Sequence, residues 1–155
     1  MDLCLNVGEY ILNVRVCGVI RHGNKVLVHH NTKKNHVALI GGRIKVGEDS
    51  ISALKREIKE EIGEDTMFVK TVGFVENFFE ISEKKYHEYL IMHELKFCDS
   101  SAYEKKLLPK EEDKKDKLEF LWYDLDKKSD YEFVPNNILD VISKNEDKIF
   151  HCIRK

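Results

Sequence analysis

Three carboxylates, Glu57, Glu60 and Glu61, carry the strongest chemical signal in the chain. On a helix turning ~100° per residue they fall within an arc of roughly 100°. Glu57 and Glu61 are i, i+4 neighbours, and Glu57 and Glu60 are i, i+3. Like charges at these spacings each cost roughly 0.2–0.5 kcal/mol. Glu57 meets Ala53, Leu54, Glu60 and Glu61 at those spacings, and Glu61 meets Glu57, Ile58 and Glu64. Only Glu60 has a basic neighbour at i−4, Arg56. The spacing therefore predicts a cluster of hard oxygen ligands short of a protein counter-cation. Such a cluster suits a divalent metal, Mg²⁺ first and Mn²⁺ as an alternative. The bland alternative is a solvated acidic helix face.

The elements that would position these groups are legible around them. Ile51, Leu54, Ile58 and Ile62 form one apolar stripe at helical spacing. Asp49 or Ser50 caps the start, and Gly63 stops the helix. Ahead of it, Val37-Ala38-Leu39-Ile40 reads as a short strand delivering Gly41 and Gly42 to a loop. Gly42 and Gly47 allow that loop a tight path against the helix.

The run Gly42, Glu48, Arg56, Glu57, Ile58, Glu60, Glu61, Gly63 resembles the Nudix box, G-x5-E-x7-R-E-U-x-E-E-x-G-U with U aliphatic. A chance match in one chain is on the order of 10⁻⁷ or rarer at average residue frequencies. Two features depart: Glu64 stands where the last aliphatic residue belongs, and no proline precedes the glycine pair. Neither removes a metal ligand. The resemblance implies an α/β fold, an α/β/α sandwich with a mixed sheet. It implies Mg²⁺-dependent hydrolysis of a nucleoside diphosphate linked to another moiety. Glu57, Glu60 and Glu61 would be catalytic and hold the metal, with the Gly41 carbonyl as a further ligand. Arg56 would orient Glu57 rather than only solubilise the helix. Arg15, in the first long strand, becomes a phosphate contact, since an arginine fork matches phosphate oxygens; otherwise it is a rim residue. Members frequently supply another glutamate from the loop at 99–117, which makes Glu111 and Glu112 candidates for a ligand or general base. The short N-terminal region favours a (d)NTP or related nucleotide as substrate. ADP-ribose, a nucleotide sugar, or a non-catalytic nucleotide-sensing module are the alternatives.

Beyond the box, residues 12–30 read as a hairpin turning at His22-Gly23-Asn24. Strands follow over 67–75, extended by 76–80, and over 86–97 and 118–123. Phe78, Phe79 and Tyr86 suit either stacking on a base or packing in a core or dimer interface. Glu76 and Glu88 suit either the metal cleft or the surface. His29, His30 and His36 fit no single metal geometry and read as satisfied surface histidines. Pro135 opens a helix well, and Ile138, Leu139, Val141 and Ile142 give it an apolar face. The charged tail to Lys155 is expected to fray.

At 155 residues the chain is expected to be one domain over 1–155. A net charge of −2 argues against a dedicated nucleic-acid surface. No apolar run approaches the ~20 residues that span a bilayer, and the start lacks a basic n-region. Cys4, Cys17, Cys98 and Cys152 form no CxxC and read as free thiols of a cytoplasmic protein. The expected partner is a small nucleotide, with room for a homodimer.

Overall fold

The computed structural model describes residues 1–107 and 118–155. Its frame is a mixed sheet of nine strands among the described residues. These are β1 (Cys4–Val7), β2 (Tyr10–His22), β3 (Lys25–Asn31), β4 (His36–Arg43), β5 (Thr66–Ile81), β6 (Lys84–Phe97), β7 (Leu118–Asp124), β8 (Glu132–Phe133) and β9 (Phe150–Arg154). The main order is β7-β3-β4-β2-β6-β5-β9, with β1 pairing β2 and β8 pairing β4. β2 runs parallel to β6 and β5 parallel to β9, while β2–β4 and β5–β6 are antiparallel.

Strand alternation sends two sets of apolar residues to opposite faces. Val16, Ile20, Ile40 and Leu95 face α1 (Ser50–Ile62), packing with its Ala53, Leu54, Ile58 and Ile62. Cys17, Val19, Leu39 and Met92 face the other way, onto Ile138 and Ile142. Ile138 ends a 3-10 turn and Ile142 lies in α2 (Leu139–Lys144). Helix, sheet, helix is the layered α/β arrangement that the box resemblance implies.

α1 forms as its sequence dictates. Asp49 accepts from the amides of Ile51 and Ser52, and Gly63 closes the helix in a left-handed conformation at φ 82°. Ser50 is the first helical residue, not the cap. Its hydroxyl lies 2.8 Å from His93 Nε2.

The tail departs from expectation. Instead of fraying, Phe150–Arg154 adds a parallel strand to β5 over Gly73–Asn77. Gly73 makes this possible: a Cβ there would stand 2.4 Å from the Phe150 ring and 2.5 Å from its carbonyl oxygen. The second helix also starts later than Pro135 suggests, after the 3-10 turn Asn136–Ile138.

Candidate active site

The approach of β4 to α1 sets the geometry. Gly41 pairs with Cys17 on β2, so close that a Cβ on Gly41 would lie 2.0 Å from the Val16 carbonyl oxygen. Gly42 points to the opposite face. A Cβ there would lie 2.2 Å from the Glu57 carboxyl carbon, so the carboxylate of Glu57 rests against the bare Cα of Gly42. The box glycine is thus a seat for the box glutamate.

Arg56 is the cation that helical spacing alone does not supply to Glu57. Its Nη1 donates to Glu57 Oε1 at 2.7 Å and to Glu60 Oε2 at 3.1 Å. Its Nε and Nη2 take both oxygens of Glu48, at 2.7 and 2.9 Å, and Nη2 also reaches the Arg43 carbonyl. The paired hydrogen bond to Arg56, aided by the Lys45 amide, holds the Glu48 carboxyl down to about 2. In turn Glu48, then Glu57, push the Arg56 guanidinium above its ordinary value, against a smaller effect of burial. Loop and helix are thereby tied together from Arg43 to Glu60. The expectation that Glu57 lacks a counter-cation is corrected: an adjacent side chain curls back along the surface, which the i+3 and i+4 rule does not cover.

Glu64, the departure from the box pattern, forms an ion pair with Lys105 and is only 15% exposed. A paired carboxylate replaces aliphatic packing after the helix.

The donor set suits a hard divalent cation. Glu57 and Glu60 each give one oxygen to Arg56, and each keeps a second with no hydrogen bond among the described residues. Glu61 lies half-buried on the same stretch of helix. Among the described residues no three acidic, histidine or cysteine side chains converge as a ready-made site. Glu57 and Glu60 are drawn towards Arg56.

A cavity of about 490 Å³ opens on the other sheet face. Gly41 and Arg15 line it, joining it to the box end of the sheet. Leu39, Leu90, Phe79 and Ile138 give it apolar walls, and Lys34 and Arg154 add positive charge. Arg154 reaches it because β9 aligns Arg154 with Asn77. Of the two adjacent phenylalanines, Phe79 lines the cavity and Phe78 does not. Phe78 stacks on His87, with ring centroids 4.3 Å apart. Alternation along β5 separates them, so Phe78 leaves the set of residues at the cavity. Glu88 lines the cavity and is buried, on the sheet face away from α1. Glu76 bonds His151 at 2.9 Å. Glu111 and Glu112 lie outside the described residues.

Of the three histidines, His30 is buried, and His29 and His36 are half-buried. β3 is an interior strand, between β7 and β4. His30 is buried, with Nε2 3.1 Å from the Lys34 carbonyl oxygen and its ring against Tyr131. His29 lines the cavity beside His36. Burial, then the charges of Arg15 and His36, push it down to about 4.

Sequence reasoning missed Asn13, Asn77, Lys34 and Arg154. Their only signal is a polar residue in a strand otherwise rich in apolar ones, as at Asn13 and Asn77.

A glycine-seated glutamate and an arginine-clamped loop sit with the carboxylate helix on one face of the sheet, and a cavity lined by Arg15 and Arg154 opens on the other. A family model described as the NUDIX domain matches residues 10–138, and the chain belongs to the Nudix family. No curated protein matches it. Among solved structures it is similar to a UDP-X diphosphatase, at 14% identity, TM-score 0.63, covering 90% of this chain and 66% of that one. A MutT Nudix hydrolase from Burkholderia pseudomallei gives 15% identity, TM-score 0.63 and coverages of 87% and 98%. An ADP-ribose pyrophosphatase from Streptococcus suis gives 13% identity, TM-score 0.58 and coverages of 91% and 98%. The chain thus spans just under two thirds of the UDP-X diphosphatase and nearly all of the other two. At these identities the likeness shows the fold. No helix among the described residues is long and apolar enough to cross a membrane.

Proposed function

We propose that this chain is a Mg²⁺-dependent pyrophosphohydrolase acting on a (d)NTP or a related nucleotide, with Glu57, Glu60 and Glu61 as its metal-holding catalytic carboxylates. The observation that carries this reading is the seat of Glu57 on Gly42, fixed by Arg56 and Glu48. A solvated acidic face needs no such clamp. The free oxygens of Glu57 and Glu60, with Glu61 and the Gly41 carbonyl, would hold the cation. When bound, the metal offsets charge on the pyrophosphate and lowers the pKa of a water it carries. The chain's own groups do the rest. Arg56 fixes Glu57 against Gly42. Arg15, on the cavity side of Gly41, supplies a fork for phosphate oxygens. The apolar walls exclude water from the remainder of the substrate.

The names of similar structures span a UDP-X diphosphatase, an ADP-ribose pyrophosphatase and a MutT hydrolase. They therefore do not rank substrates. The test is product release from nucleoside triphosphates, ADP-ribose, nucleotide sugars and dinucleotides, with Mg²⁺ and with chelator. Metal-dependent release by wild type is expected. Glu60→Gln or Glu61→Gln should lower turnover ~100-fold or more with folding intact, as when charge stabilisation is removed elsewhere. Near-native turnover in both variants would overturn the ligand assignment. Nucleotide binding without release from any compound would favour a sensor module.

A further inference from the structure

The sheet carries an apolar face that no helix covers among the described residues. α1 packs over Val16, Ile20, Ile40 and Leu95. Past α1 the same face runs on across five neighbouring strands, β9, β5, β6, β2 and β1. Register sets its rows. Phe74 stands beside Ile91, which still packs partly on the α1 cluster. In the next row Tyr89 stands beside Glu76, and Glu76 beside Ile153. Phe78, His87, Leu12 and Leu5 form the third row, and Tyr10 and Val7 belong to the fourth. Side-chain contacts agree with the register. The His87 ring lies 4.3 Å from Phe78 and 4.9 Å from Tyr89, centroid to centroid, and His151 bonds Glu76.

Phe74 is 42% exposed, Tyr89 40% and Ile153 57%, and Leu5, Val7 and Tyr10 are exposed with them. Six of the thirteen exposed large hydrophobic residues among those described therefore share this face. Single exposed apolar side chains are ordinary, whereas a contiguous patch marks an interaction site. Its size and charge say what covers it. Five strands ~4.8 Å apart and four rows ~7 Å apart give a footprint of roughly 500–600 Å². Buried on both partners, that reaches the ~1,000 Å² a specific pair needs. The charges at the patch are matched within the chain. Glu76 is held by His151, and Lys85 by Glu9 with Glu80 near it. The face thus offers no excess of one sign to select a partner of the other. An apolar, locally neutral patch is complementary to itself, and apolar character is what sets homodimer interfaces apart.

We propose that this face is the interface of a homodimer, in which a second copy of the chain covers it sheet against sheet. A two-fold axis along β6, the middle strand of the five, lays β5 of one copy over β2 of the other and sets Tyr89 against its own counterpart. The second copy stands on the α1 side of the sheet, so the cavity on the opposite face stays open to ligand. The pairing is independent of which substrate the site takes.

Sedimentation equilibrium of the full chain over ~1–100 µM tests this, with a thermal melt of each variant. Wild type should be a dimer with a Kd of ~10 µM or tighter. Tyr89→Glu sets two like charges face to face at the axis, and Phe74→Glu puts a charge into the same patch. Each should raise Kd ~30-fold or more, the loss seen at an interface hot spot. Met67→Glu, at a residue also 42% exposed but outside the face, should leave Kd unchanged. A wild-type monomer at ~100 µM, a dimer that survives both folded patch variants, or equal dissociation by Met67→Glu would overturn the proposal. Should neither patch variant fold, lysine cross-linking of mixed isotopically light and heavy wild type decides. Links between copies through Lys84 or Lys85, at the rim of the face, support the interface. Links between copies only elsewhere, or none, overturn it.

Discussion

At the residue scale the site depends on small clearances. Gly42→Ala would drive a Cβ into the Glu57 carboxyl group. That group is the end of a flexible side chain, so it can move aside. Turnover should therefore fall steeply while the melting temperature changes little. A variant with wild-type turnover would show that the glycine seat is dispensable. Arg56 binds Glu48 through two nitrogens and serves Glu57 and Glu60 with a third. Lysine offers one compact charge and cannot span that set. Arg56→Lys should raise the Mg²⁺ concentration needed for half-activation ~10–100-fold, the usual cost of removing a group that orients ligands. A Mg²⁺ titration of activity reads this. An unchanged half-activation concentration would reduce Arg56 to a surface residue.

At the scale of elements, the unexpected strand β9 carries the clearest consequence. It joins β5 where Gly73 leaves room for Phe150, and it brings Arg154 to the cavity. Gly73→Ala should destabilise the fold by ~1–3 kcal/mol, the cost of overpacking a closed contact. Urea denaturation measures it, and a loss below the error of that measurement would mean that β9 docks without needing the glycine. α1 behaves otherwise. Its cap, stripe and stop agree with one another in the sequence, and its placement follows from Leu54 and Ile58 packing against Gly18, whose ideal Cβ lies 3.3 Å from Leu54 and 3.6 Å from Ile58.

For the whole molecule, buried titratable groups set the response to acid. His29 is shifted from its ordinary 6.5 down to about 4. As pH falls through that window the unfolded chain takes up a proton that the folded chain refuses, so stability declines. His93 is lowered too, by burial, with Asp49 acting against it. Glu48 then adds a second window. Its carboxyl drops from 4.5 to about 2, so the stability it contributes is present above 4.5 and is lost as pH falls towards 2. His29→Gln should flatten the dependence between about 6.5 and 4 while leaving the lower window in place. Unfolding free energies by denaturant at several pH values check this, and an unchanged slope in the variant would remove His29 as its source.

The sequence by itself determined whatever depends on near neighbours. Glu57, Glu60 and Glu61 share a helix face because a helix repeats every ~3.6 residues. The cap at Asp49, the stop at Gly63 and the hairpin at Gly23 are local for the same reason. The tertiary structure decided every relation that crosses strands. Phe78 and Phe79 are adjacent in sequence and on opposite faces in space, and only the register of β5 on β6 tells which one meets the cavity. Asn13, Asn77 and Glu88 come from three strands and have no spacing to read. The burial of His30 comes from the Tyr131 ring and the Lys34 carbonyl packed over it, partners that no spacing along β3 reveals. Arg154 looks like frayed tail until Gly73, far away in sequence, makes room for β9. Local geometry is set by chain periodicity, whereas sheet order and register are set by which apolar faces can be buried together, and no window of sequence contains that choice.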